Sequence, residues 1–301
     1  MIEGINEAVE PEFPPNRSEE ISIVPIVLEV PANLPGFPDN EWIKIPAGSF
    51  HFGGVQGDSR AATEGDETYN NPIFNIPYDY WISKFEVTNG QYKLFLDDTD
   101  LENLPQIDDH SCTIWNMDGG YNLAYESHPV VCVTWYSAAA YAEWLNSQLG
   151  AENMVVMLPS EPEWEKAARG AQDNRIYPWG RDFDGSKLNC GSSDCPNDGH
   201  EKTAPVGSFQ GGASPFGVED MAGNAWEWTR NKYVNSDYYD PNDGREALTG
   251  QGTRVARGGS WYSPRTDVRI SNRSRTNPEG WRNYTGNDDL GFRVVILLAS
   301  R

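Results

Sequence analysis

The sequence predicts an α+β fold of irregular type, with little regular secondary structure. Three observations carry this expectation. The 301 residues include 29 glycines and 21 prolines, and so many turn-formers break a chain into short elements. Two stretches with helical spacing and proper caps lie mid-chain, with strand-like pieces on both sides. Regular βα alternation and internal repeats are absent, which sets aside doubly wound folds, barrels and solenoids.

Residues 1–40 are acidic and proline-rich ("EPEFPPNRSEE", "VPANLPGFPDN") and read as an N-terminal arm or linker. Their one apolar run, "ISIVPIVLEV", contains a proline and is compatible with an edge strand only. The folded domain is expected over residues 41–301. It opens with the alternating strand and glycine turn of "EWIKIPAGSFHFGG". "YDYWISKFEVTNGQYKLFLDD" reads as a strand running into a helix, with Thr88 or Asn89 as N-cap. Residues 134 to 150 form the clearest helix: Tyr141, Trp144, Leu145 and Gln148 recur at helical spacing, and Gly150 stops it. In "LPSEPEWEKAARG", Ser160 and Glu163 make a capping box, Pro162 sits in the first turn and Gly170 ends the helix. Beyond residue 171 turns dominate, and only "RVARGGSW" and "GFRVVILL" read as firm strands.

Composition narrows the function classes. Aromatics make up 12% of the chain, with 11 tryptophans, ample for a rigid core. A formal net charge of −22 argues against nucleic acid or an anionic membrane as partner. It is compatible with plain solubility and with a supply of carboxylates for hard cations. No apolar run reaches membrane-spanning length, and the first twenty residues lack the form of a signal peptide. Cys190 and Cys195 can bridge within one loop, and Cys112 and Cys132 flank another; two disulfides are preferred to free thiols, and a zinc site from Cys190, Cys195 and His200 comes last. Disulfides point to an exported protein, with a cytoplasmic one still open.

The motifs "IPAGSFHFGG", "KFEVTNGQY", "HPVVCVTWYSAAAYAEWL", "LPSEPEWEKAARG", "YPWG", "TAPVGSF", "FGVEDMAGNAWEWT", "RVARGGSW" and "LGFRVV" follow one another from about residue 42 to residue 296. In this order they resemble the formylglycine-generating enzyme, or sulfatase-modifying factor, family. The resemblance implies a C-type-lectin-like fold and two calcium loops. It puts ligands at the Asn189 side chain, the Cys190 carbonyl, the Asp198 carboxylate and the His200 carbonyl. In the second loop it puts them at the Asp220 side chain, the Gly223 and Ala225 carbonyls and Glu227. Loops rich in Asp, Asn and Gly offer the mixed oxygens that calcium takes. Trp226 and Trp228 are read as core.

In the family's oxidases two cysteines five residues apart bind copper and perform the thiol chemistry. Ser263 and Val268 stand at those positions, and no cysteine follows Cys195. A hydroxyl is a poor ligand for a soft monovalent ion and valine offers no donor, so neither copper nor formylglycine generation is expected. His51, His110, His128 and His200 show no ligand spacing, and the hydrolase, phosphate-loop and zinc-protease signatures are missing.

The C-terminal segment reverses the charge, with eight arginines against four acids from Arg254 to Arg293. Internal pairing is the favoured reading for Arg269, Arg273 and Arg293. Tyr262, Ser263, Arg265, Trp281 and Tyr284 are expected to be exposed and, with Asp267, to bind a ligand, because such aromatics and small polar residues suit binding surfaces. From residue 262 to residue 289, 15 of 28 residues are Asn, Tyr, Ser, Thr or Asp. This resembles the variable proteins of diversity-generating retroelements. The expectation is therefore a calcium-stabilised, non-catalytic protein that binds an unidentified protein or small molecule through residues 260–290. An enzyme of the same family without the cysteine pair and a structural subunit of a larger assembly are the alternatives.

Overall fold

The computed structural model describes residues 34–38, 41–55, 58, 73–99, 123–151, 153–171, 174–191, 193–195, 199–235, 239–279 and 288–298. The run "ISIVPIVLEV" lies outside them. Leu34 and Phe37, on the arm side of residue 40, are buried in the larger of the hydrophobic cores.

Ten short strands, three α-helices and two single-turn 3-10 helices make up the regular structure of the described residues. Strand β1 (Trp42–Ile45), β4 (Tyr80–Ser83), β10 (Val295–Leu298) and β5 (Met154–Met157) form one antiparallel sheet in the order β1-β4-β10-β5. Strands β2 (Gly48–His51) and β3 (Ile73–Ile76) make a separate antiparallel pair. The third sheet runs β8 (Arg273–Thr276), β7 (Arg254–Arg257), β6 (Trp226–Lys232), β9 (Leu290–Phe292), with β9 parallel to β6.

Helix α1 (Asn89–Asp98) is capped by Thr88, whose hydroxyl accepts from the Gln91 amide while the Gln91 side chain reaches back to the Thr88 amide. Helix α2 (Trp135–Gln148) starts at the Thr134 cap. It presses Trp135, Tyr141, Trp144 and Leu145 into a core shared with Tyr92, Phe95 and Phe292. Helix α3 (Glu161–Arg169) shows the expected box of Ser160 and Glu163 and ends at Gly170, whose φ of 88° favours a residue without Cβ.

Two expectations need correction. "GFRVVILL" is not one strand: β9 and β10 belong to different sheets. The chain switches at Arg293 and Val294, where the Arg293 guanidinium turns in to grip Glu227 and the Val294 carbonyl accepts from the Ser83 amide. Strand β6, "WEWTRNK", is the central neighbour of β7 and β9 and was not anticipated. Its polar side chains belong to a buried ionic layer around α3, so alternation between apolar and polar residues does not mark its faces.

That layer positions everything else. All nine residues of α3 are buried. Glu163 binds Arg230 at 2.6 Å, Glu161 binds Arg273 at 2.5 Å, and Glu165 binds Arg169 at 2.9 Å and also Arg257. Arg230 and the amide of Ser160 hold the Glu163 carboxyl below its ordinary range against the opposing effect of burial. Lys166 donates to the carbonyls of Pro46 and Gly48, and burial lowers its ammonium to about 8. Buried acids and bases so placed satisfy one another, and removing one partner exposes the other to the full cost of an unpaired buried charge.

Candidate functional site

The residues that replace the cysteine pair lie at the end of β7, after two glycines with positive φ, Gly258 (95°) and Gly259 (75°). A Cβ on Gly259 would sit 2.7 Å from Val268 Cγ1, so the turn folds directly onto Val268. Val268 is fully buried with Tyr177, Leu188 and the Cys190–Cys195 pair. Ser263 is buried too, contrary to the exposure expected of it. Its Oγ accepts from the Ser260 amide at 3.0 Å and shares a hydrogen bond with Ser260 Oγ at 3.2 Å; Ser260 Oγ donates to Asp289 Oδ2 at 2.8 Å. The hydroxyl closes the turn rather than pointing outward. Burial raises the Asp289 carboxyl to about 6, with the Ser260 bond opposing the rise.

What this turn exposes is aromatic and charged. Tyr262 is 74% exposed. Its ring lies 5.6 Å from that of Trp261, whose indole donates to the Asp288 carbonyl at 3.1 Å. Lys202 pairs with Asp288 at 2.6 Å. Arg265 is exposed, and its amide donates to Asp194 Oδ2 at 2.9 Å. Asp267 is half-buried and accepts from the Thr266 hydroxyl at 2.9 Å. Trp281 and Tyr284 lie outside the described residues.

The loop bridged by Cys190 and Cys195 supports this face from below. Gly191 donates its amide to the Ser263 carbonyl at 2.9 Å, and a Cβ there would meet the Tyr262 carbonyl at 2.9 Å. Cys132 is also disulfide-bonded; Cys112, the partner expected for it, lies outside the described residues. The bridge at Cys190 rules out the zinc alternative there.

Most other arginines of the segment turn inward as expected. Arg269 binds Asp58 at 2.7 Å, Arg273 binds Glu161, and Arg293 binds Glu227 at 2.6 Å. Ser271, Asn272 and Thr276 are buried as well. Among the described residues the displayed positions of the segment fall in two short stretches, Tyr262, Pro264 and Arg265 in the first and Arg275, Asn277 and Glu279 in the second.

The two expected calcium loops meet. Gly223 has a φ of 76°, and a Cβ there would lie 2.1 Å from the Asn189 carbonyl, which accepts from the Asn224 amide at 2.9 Å. Asn189 is buried; its amide nitrogen donates to the Lys202 carbonyl at 2.8 Å, and its Oδ1 finds no partner among the described residues. An orphaned amide oxygen in a loop of carbonyls suits a hard cation. Asp198 lies outside the described residues, Cys190 is in its disulfide, and the His200 ring packs near Phe209.

In the second loop Asp220 adopts a positive φ of 57° and accepts from the Gly207 amide at 2.7 Å. Burial raises its carboxyl to about 6, opposed by that bond and by Arg293. Ala225 is fully buried. Glu227 is already engaged by Trp164 Nε1 at 2.7 Å and by Arg293 on both oxygens. Glu86, which faces Asp220 electrostatically, is raised well above its ordinary value by burial first and by Asp220 second. Three buried carboxylates thus share Arg293, an excess of negative charge that fits a cation. No group of three or more His, Cys, Asp or Glu side chains able to hold a metal occurs among the described residues; the donors in question are mostly amide and carbonyl oxygens.

Two motif residues are structural. Trp228 is fully buried, its indole donating to the Val133 carbonyl at 2.9 Å. His128 is buried beside Thr203 at 3.1 Å, and burial lowers its imidazole. Sequence reasoning passed over Trp261, Lys202 and Asp289 as site residues. Trp261 stands next to Tyr262 and could have been read; the other two are brought in only by folding.

The family described as sulfatase-modifying factor enzyme 1-like domain matches residues 29–298. A serine/threonine-protein kinase Pkn1 from Chlamydia trachomatis is 36% identical over 267 residues, covering 85% of this chain and 38% of that protein. The chain thus spans well under half the length of that relative. The inactive C-alpha-formylglycine-generating enzyme 2 of Bos taurus is 33% identical over 177 residues, covering 56% of this chain and 50% of that one. Variable protein 1 of Treponema denticola shares the fold, with a TM-score of 0.59, 21% identity, and 84% and 94% of the two chains covered. This chain belongs to the sulfatase-modifying factor enzyme 1-like domain family.

Proposed function

We propose that this chain is a calcium-stabilised, non-catalytic binding member of its family, engaging a protein or small-molecule ligand through the face around Trp261, Tyr262 and Arg265. The observation that carries the reading is the fate of the two cysteine positions. Ser263 closes a turn and Val268 fills a core, so the place of the oxidase chemistry is given over to packing. The bovine relative named inactive supports the same direction. The exposed Tyr262 beside Trp261 offers rigid area, and Lys202, Arg265, Asp194 and Asp288 offer charge of both signs around it. Asn189, Cys190, Asp198 and His200 would hold one calcium ion, and Asp220, Gly223, Ala225 and Glu227 a second. Bound calcium would fix loops that have little secondary structure of their own. Variation at residues 260–290, as in retroelement variable proteins, would be confined to the positions that reach the surface.

The experiment is a glycan and peptide array probed with the calcium-loaded protein and its Tyr262→Ala and Trp261→Ala variants. The expected result is a ligand whose affinity drops at least about tenfold in each variant. Conversion of a sulfatase peptide's cysteine to an aldehyde by the copper-treated protein, read by mass spectrometry, would overturn the reading.

A further inference from the structure

Ser260 is the node from which the aromatic pair of the exposed turn hangs. Its hydroxyl oxygen meets three groups: Asp289 Oδ2 at 2.8 Å, Ser263 Oγ at 3.2 Å and the Tyr262 amide at 3.3 Å. Trp261 is pinned by its amide to the Asn224 carbonyl at 3.0 Å and by its indole to the Asp288 carbonyl at 3.1 Å. The approach to β9 thus holds the turn at two successive residues, and at the second it does so through a titratable side chain.

A hydroxyl has one proton to give. An ionised Asp289 only accepts, so it claims the Ser260 proton. Ser263 then donates to Ser260 Oγ, which also accepts from the Tyr262 amide. Hydrogen bonds polarise along such a chain, and its charged end strengthens the rest. A protonated Asp289 can donate to Ser260 instead. The Ser260 proton then swings to Ser263 Oγ, which already accepts from the Ser260 amide, and the Ser263 proton is displaced within a buried side chain. One added proton reverses both hydroxyls, and the anchor of the Tyr262 amide loses its charge-assisted end. The Ser260 bond pulls the Asp289 carboxyl down against burial, so by linkage ionisation strengthens that bond and protonation weakens it.

The surrounding charges are settled among themselves. Asp288, next in the chain, pairs with Lys202, and Arg265 faces Asp194. The turn after β7 brings Ser260 and Trp261 to this point, and β6 meets Asp289 through the Trp226 amide at 2.7 Å, while Glu227 turns to Arg293. Among the described residues no cation pairs with the Asp289 carboxyl, and Asp288 is the charge that acts on it. We propose that Asp289 is a proton-operated latch on the Trp261–Tyr262 turn: its carboxylate holds the turn tight, and its protonation slackens the turn and weakens ligand binding there. The ligand clause rests on the binding reading above; the latch itself does not.

Heteronuclear NMR of the ligand-free, calcium-loaded full chain tests the latch over a range from about pH 7.5 to about pH 4.5. The Trp261 indole signal, assigned with Trp261→Phe, is expected to move with a midpoint of about 6. It should stay still in Asp289→Asn, which keeps an acceptor for Ser260 and takes up no proton. In Ser260→Ala the indole should also stay still while the Asp289 carboxyl, followed by carbon NMR, goes on titrating. A Ser260 that only packed the turn would not separate the two signals. An indole fixed over this range in the parent overturns the proposal, as does a movement retained in Asp289→Asn or in Ser260→Ala. A ligand found on the array is expected to bind at least about threefold more weakly at about pH 5 than at about pH 7, and equally at both in Asp289→Asn. Equal binding by the parent overturns the ligand clause. An array without any ligand overturns the binding reading instead, and the indole signal still decides the latch.

Discussion

Two buried acidic regions of this molecule are built from the same side chains and settle their charge in opposite ways. Around α3, Glu161, Glu163 and Glu165 face Arg169, Arg230, Arg257 and Arg273, and each carboxylate is gripped by at least one guanidinium. Around the second candidate calcium loop, Glu86, Asp220 and Glu227 share Arg293, and of the three carboxylates Glu227 takes its hydrogen bonds. The first region is closed and structural. The second has one arginine for three carboxylates and leaves a Glu86 oxygen without a hydrogen-bond partner among the described residues. Where function is sought, the useful signal is charge that the fold fails to balance.

Breaking the balanced side is expected to have the largest effect. Arg257→Ala strips cations from Glu161 and Glu165 and should cost about 3–5 kcal/mol in urea unfolding, or abolish folding. A loss under 1 kcal/mol would mean the α3 layer tolerates imbalance, and the contrast would fail. On the unbalanced side, calcium should act as the missing charge. Adding it at 100 times its Kd to chelator-treated protein should raise stability by about 3 kcal/mol, and Asp220→Asn should diminish that gain. A Tm indifferent to calcium and chelator would remove the ion from the account.

A third, smaller effect is pH-dependent. The Asp289 carboxyl is raised to about 6 by burial, above its ordinary 3.8. Between those values the folded state holds the proton more than the unfolded state does, so this group makes stability fall as pH rises from about 4 to about 6. The contribution is roughly 2–3 kcal/mol. In Asp289→Asn that descent should shrink by a comparable amount; an unchanged profile would place the titration elsewhere. Glu86→Gln in calcium-free protein keeps an acceptor for Asn224 and stands in for the protonated carboxyl that burial favours, so its unfolding free energy should stay within about 1 kcal/mol of the parent. Tyr262→Ala should be smaller still, under about 0.5 kcal/mol, because the ring packs on the surface.

The helices were readable because their signals are local: Thr88 with Gln91, Ser160 with Glu163, and Gly170 in a left-handed conformation each act within a few residues. The loss of the cysteine pair was equally legible, since a hydroxyl and an aliphatic branch have the wrong chemistry wherever they lie. Ser263 was misjudged as exposed because its local partner Ser260 is anchored by Asp289, which arrives only when β7 and the approach to β9 come together. Strand β6 was missed for a related reason. Glu227, Thr229 and Asn231 look like a solvated face until α3 and Arg293 cover them.

Sequence alone therefore determined the family, the capped helices, the Cys190–Cys195 bridge and the absence of thiol chemistry at Ser263 and Val268. All of these depend on residue type and short separations. Tertiary structure decided which polar side chains point inward, how residues 290–298 divide between two sheets, and where buried acid is left without its counter-charge. Those outcomes depend on desolvation, and the cost of desolvating a charge is set by whatever distant part of the chain folds against it.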